Sequence, residues 1–232
     1  INSTWTYNNG VIQTISSPVN IDSAVIRNYL NSGSLTIQAG NTTINSGVVG
    51  TASNSLVFNA NATQTNTSPT TNVNAPITNS GSITINTTTL NIAHNIATTS
   101  TAAITLSGNN GFSSSTLTRR TISTLGGNIT VNADADSNGS GQLDLDYLTF
   151  NPSTGSTIIR GETVTFYTGS SAGPYINGTG TFTLESNDAS FGQAVHLVWF
   201  KIINGLAGFN FGKSTNVSDI FFNSNGALTV NG

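Results

Sequence analysis

A short phrase recurs along this chain: SLTIQA, SLVFNA, SITINT, AITLSG, NITVNA, QLDLDY, ETVTFY, TFTLES, GFNFGK and ALTVNG. Each copy alternates apolar and polar residues, the period of a strand buried on one face. The central residues are Thr36, Val57, Thr84, Thr105, Thr130, Asp144, Thr165, Thr183, Asn210 and Thr229, and most intervals between them fall between about 18 and 27 residues. A sandwich would place its strands every ~8–12 residues. One apolar phrase per ~20–25 residues is instead the mark of a solenoid, whose repeats bury their faces only by stacking. The expected fold class is all-β: a right-handed parallel β-helix of roughly ten coils, about 45–50 Å long at ~4.8 Å per coil.

Composition agrees. Good helix formers are scarce and β-branched residues abundant. One stretch, DSAVIRNYLNSG at 22–33, reads as a short helix near the N-terminus. Asp22 caps it, Ala24, Val25, Tyr29 and Leu30 share a face, and Gly33 ends it. A chain only 6% charged with a net charge of −3 lacks the basic patch of a nucleic-acid binder. No apolar run approaches the ~20 residues of a membrane helix, so neither nucleic acid nor membrane insertion is expected. Cysteine is absent, which removes disulfides and thiolate metal sites. Methionine is absent too, and neither terminus reads as a cap over the stack. Residues 1–232 are therefore expected to be a single β-helix segment of a larger protein, with a sub-boundary near 190–205.

Three stretches, SAVIRNYLNSGSLTIQAG, GGNITVNADADSNGSGQLDLDYLTF and GLAGFNFGKSTNVSDIFFNSNGALTVNG, resemble the filamentous-haemagglutinin-like, repeat-rich β-helical giant surface adhesins of Gram-negative bacteria. The resemblance implies a secreted, exported protein on the bacterial cell surface and a role in cell adhesion as a rigid stalk or filament segment. An uncharged rod with unpaired apolar patches has little to keep copies apart, so other copies in a homo-oligomer are expected partners, with adjoining modules of the same chain and cell-surface glycans.

The densest charge lies in NADADSNGSGQLDLD, residues 132–146. Asp134, Asp136 and Asn138 alternate before Gly139, and Asp144 follows. Hard oxygen donors before a glycine turn suit calcium, although Leu145 stands where a calcium loop carries its bidentate Glu. The same residue types are what a tight turn between coils requires, and both readings stay open. Calcium is the only cofactor the sequence offers. Asp144 and Asp146 flank Leu145, so on one strand they would share an outward face ~7 Å apart. With Asp134 and Asp136 they define the alternative to an adhesin: a polysaccharide-active lyase or glycosidase. Catalysis would also need a groove with cations or aromatics opposite the acids, and the expectation is that the chain is not an enzyme. A third reading is a carbohydrate-binding module acting through exposed aromatics. Trp5 and Tyr7 at the N-terminal edge, and Trp199 and Phe200 in AVHLVWF, are the candidates for binding or for an interface. That last run looks too apolar for a single rung to hide.

Overall fold

The structure, a computed structural model, describes residues 5–14, 21–60, 68–114, 117–165, 173–197, 200–203 and 205–221. Its strands stack in parallel into three faces. The first face runs through Val11–Thr14, Leu35–Gln38, Leu56–Asn59, Ile83–Ile92, Ile104–Ser114, Ile129–Asn132, Thr157–Arg160, Thr181–Glu185 and Gly208–Phe211. The second begins with Thr42–Ile44 and Thr70–Val73, continues in the C-terminal halves of the two long strands, and reaches Gln142–Asp144 and Thr163–Thr165. The third holds Val48–Gly50, Ile77–Asn79, Ile96–Thr98, Arg120–Ser123, Leu148–Ser153, Tyr175–Gly178 and Lys201–Ile202.

In-register pairing turns the alternating phrases into columns. One inward column of the first face reads Leu35, Leu56, Ile83, Ile104, Ile129, Thr157, Phe182, Phe209. The third face contributes Val48, Ile77, Ile96, Ile122, Phe150, Ile176 and Ile202. These columns meet in one continuous core. Outward columns carry Thr36, Val57, Thr84, Thr105 and Thr130, and beside them Gln38, Asn59 and Asn86. Amide side chains also bond from coil to coil, as where Asn91 Nδ2 donates to Asn72 Oδ1 at 2.8 Å and Ser113 Oγ to Asn91 Oδ1 at 2.6 Å.

The parallel β-solenoid expected from the sequence is present, with about seven turns rather than ten. The surplus arises because a coil can carry two alternating phrases. QLDLDY lies on the second face of the coil whose first-face strand is Ile129–Asn132. ETVTFY contributes Thr163–Thr165 to the second face of the coil whose first-face strand is Thr157–Arg160. ALTVNG falls outside the described residues.

The helix spans Ser23–Ser32, with Asp22 Oδ1 accepting from the Ala24 N–H at 2.7 Å. Its buried face is Ile26 and Leu30, with Tyr29 half-buried, rotated from the expected one. The N-terminal edge is also more covered than expected. The helix packs against Val48–Gly50, and Leu30 is wholly buried. Beside it, Trp5–Asn8 pairs antiparallel with Val11–Thr14. Asn9 and Gly10, at φ 47° and 80°, make the tight turn of this hairpin, as Asn-Gly does in type I′ turns.

Across 190–205, Val195–His196 pairs with Ile220–Phe221, and Lys201–Ile202 pairs with Tyr175–Gly178. Val195, Leu197, Phe200 and Ile202 are all buried. Val195–His196 and Lys201–Ile202 belong to different sheets, so these buried side chains reach the core from separate strands. No helix among the described residues is long and apolar enough to cross a membrane.

Candidate functional site

The turn between the first and second faces brings acids from three successive coils to one corner. In the first of these coils, Ile129–Asn132 leads into Asp134, which is wholly buried. The exposed loop 135–140 then reverses the chain through Ser137 and Gly139, both at positive φ. Asp134 anchors that loop: its Oδ1 accepts from the Asn138 N–H at 3.1 Å, and its carbonyl from the Ser137 N–H at 3.2 Å.

One coil on, Glu162 follows Gly161. A Cβ at Gly161 would sit 2.6 Å from Leu143 side-chain atoms, so glycine lets this turn lie flat on the coil below. The Glu162 N–H donates to the Gly141 carbonyl at 2.8 Å, and its Oε2 accepts from Ser186 Oγ at 2.7 Å. In the third coil Ser186 Oγ also accepts from the Asp188 N–H at 3.0 Å. Asn187 Nδ2 reaches back two coils to Asn132 Oδ1 at 2.7 Å and to the Asp134 carbonyl. From the coil beyond, Lys213 Nζ donates to the carbonyls of Asn187 and Asp188, at 2.5 and 2.9 Å.

These bonds leave one carboxylate oxygen from each of Asp134, Glu162 and Asp188 within 4.8 Å of the others. Burial pushes the Asp134 carboxyl above its ordinary pKa. The N–H groups of Asn138 and Gly139 oppose this, while the charges of Asp188 and Asp136 add to it.

Of the residues singled out in the sequence, Asp134, Asp136 and Asn138 share the one loop. Asn138 Nδ2 donates to Asp136 Oδ2 at 2.9 Å, so these two side chains engage each other on the exposed side. Asp144 ends the second-face strand, its Oδ1 accepting from the Asp146 N–H at 3.1 Å. Burial raises its pKa foremost. Asp146 falls in the following turn and is buried, so the two do not share a strand face. Glu162 and Asp188 were not found from the sequence. They lie 28 and then 26 residues along the chain, and that coil-length spacing was the available signal.

Two of the arginines near the acids in sequence are engaged elsewhere. Arg160 pairs with Glu185 at 2.7 Å. Arg119 donates to the Leu148 and Gly173 carbonyls and lies 3.5 Å above the Tyr175 ring. Among the aromatics, Trp5 packs partly buried against the core, and Tyr7, 41% exposed, stacks on Tyr29 with centroids 3.8 Å apart. Phe200 is a core residue, 5.3 Å from Phe182, and so presents no broad surface to a partner. Trp199 lies outside the described residues.

Comparison with protein-family models, characterised proteins and solved structures finds no match to this chain. Its class therefore rests on its architecture: a three-faced parallel β-solenoid bearing an acidic corner.

Proposed function

We propose that this chain is a structural, adhesive module of a large bacterial surface protein, a rigid stalk segment that holds contacts away from the cell. The observation that carries the reading is the first-face column, which stays in register from Leu35 to Phe209. In-register ladders run through about seven turns, so the rod resists bending by compressing core side chains and breaking backbone hydrogen bonds together. At ~4.8 Å per coil this stack is about 34 Å long. The outward Thr and Asn columns supply a neutral hydrogen-bonding surface suited to glycan hydroxyls or to a second copy. Extracellular exposure fits a chain without cysteine or methionine, the residues most open to oxidation.

The test is retention under flow. Beads coated with the chain should hold to glycan-bearing surfaces, or to surfaces coated with the same chain, at shear that clears albumin-coated beads. Light scattering should show whether copies associate. Beads that wash off both surfaces, together with release of new reducing or unsaturated sugar ends from added polysaccharide, would replace the module with an enzyme.

A further inference from the structure

We infer that the acidic corner is a calcium site in which Asp134, Glu162 and Asp188 hold one ion and so staple three consecutive coils. The convergence of three carboxylates is the first observation. The second is Asp134 Oδ2: the side chain is wholly buried, and this oxygen accepts from no donor. A buried carboxylate oxygen without a donor is destabilising unless it is protonated or coordinated. Among the described residues no Lys, Arg or His forms an ion pair with any of the three acids. Lys213 reaches the same corner, yet donates to main-chain carbonyls.

The donors decide the class of ion. All three are carboxylate oxygens, with no histidine or thiolate among them, which selects a hard cation over zinc or copper. Tolerance of irregular geometry then favours calcium over magnesium, which demands near-ideal octahedral coordination and dehydrates reluctantly. Ligands on opposite sides of a calcium ion, at ~2.4 Å each, lie ~4.8 Å apart, whereas magnesium at ~2.1 Å requires ~4.2 Å or less. Three carboxylate oxygens that all lie within 4.8 Å of one another can close on a calcium ion with little movement of the coils. Calcium takes about six to eight oxygens, which leaves positions for water. The ligands stand one coil apart, so the ion opposes separation of the stack. This holds whether or not the rod is adhesive.

The whole chain, stripped of metal with a chelator and dialysed, should be titrated with calcium chloride by calorimetry and by thermal melting. One ion per chain is expected. At ten times the Kd, the melting temperature should rise by about 3–6 °C. E162Q and D188N alter half-buried residues and should each weaken binding at least tenfold; D134N should do so as well. D219N removes an exposed acid elsewhere and should bind as the parent does. Because D134N can unfold, the two milder variants decide the matter.

Neither heat nor a melting shift up to about 10 mM calcium, well above the Kd of the weakest protein calcium sites, would overturn the site. Loss of binding in D136N with E162Q unaffected would move the ion to the loop 134–144 and overturn the cross-coil assignment. An equal response to magnesium would overturn the choice of ion.

Discussion

Replacing Gly50 by alanine adds one methyl group where the third face turns toward the first. An ideal Cβ there would lie 2.1 Å from Asn79 Oδ1 and 2.5 Å from Leu30 Cδ2. The backbone cannot retreat, because Gly50 pairs with Asn79 in the ladder and its carbonyl accepts from the Ser80 N–H at 3.1 Å. Asn79 must therefore move. It is wholly buried, and its Nδ2 donates to the Asn54 and Ser82 carbonyls at 2.8 and 3.1 Å. Overpacking costs about 1–3 kcal/mol, and loss of one or both hydrogen bonds adds about 0.5–1.5 kcal/mol each. The expected destabilisation is about 1.5–6 kcal/mol, a fall in melting temperature of about 3–24 °C for a chain of this size. Circular-dichroism melting measures it. Hydrogen exchange of the Ile77–Asn79 amides locates it, since neighbouring coils in a stack can open separately. Gly47 is the control: it is exposed, and its nearest neighbour would be an ordinary 3.6 Å contact with Pro76. G47A should melt within about 2 °C of the parent, since surface changes usually stay within ±0.5 kcal/mol. In an N79A background G50A should lose much of its penalty, a coupling of about 1–2 kcal/mol. If G50A melts like G47A, or its penalty survives N79A unchanged, the packing argument for this corner is wrong.

Two further perturbations probe charge. With metal chelated, the folded Asp134 and Asp144 hold pKa values above the ordinary 3.8, chiefly through burial. The folded chain therefore keeps protons that the unfolded chain has released. Their contribution to stability is greatest below pH about 3.8 and is lost as pH rises through the raised values. Melting temperature should rise on acidification from pH 7 toward 4, and this slope should flatten in D134N and D144N; an unchanged slope in both refutes the assignment. Separately, Arg119→Lys should cost about 1–3 kcal/mol in chemical denaturation, because an ammonium cannot reproduce both guanidinium bonds and the stacking on Tyr175; a variant as stable as the parent would show these contacts to be idle.

The first face was legible because its strands are four residues or longer and alternate clearly, as in Leu35–Gln38 and Ile129–Asn132. Third-face strands such as Val48–Gly50 and Ile96–Thr98 have three residues, too few for a period of two to stand out from chance. Val48 and Ile96 point inward all the same, while Val49 is exposed, and the surplus of coils comes from second-face phrases that alternate as clearly as first-face ones. The N-terminal hairpin carries a local signal in Asn9–Gly10 between two alternating runs, a weaker pattern than the repeat that follows it. Asp134 was found because its neighbours formed a recognisable loop. The burial of Phe200 is not legible locally, because the described strands on either side of it, Val195–His196 and Lys201–Ile202, belong to different sheets.

Glu162 and Asp188 show why motif reading underperforms in a solenoid. Local motifs assume that chemistry assembles within a dozen residues, as on a helix face or in a calcium loop. In a stack, the nearest neighbour of a corner residue is one coil away, and the coil length along the first face varies between 21 and 28 residues. Variable coil length blurs any fixed spacing, so a composition scan cannot see the column. The search becomes tractable once the first-face phrases supply the ruler. Asp134, Glu162 and Asp188 stand three, three and four residues after Val131, Ile159 and Leu184, which occupy one inward column. Arg160 and Glu185 stand one residue after Ile159 and Leu184 in that column, and they form the salt bridge between adjacent coils. Distance from the nearest column residue, rather than distance in the sequence, is the coordinate in which this chain's polar contacts line up.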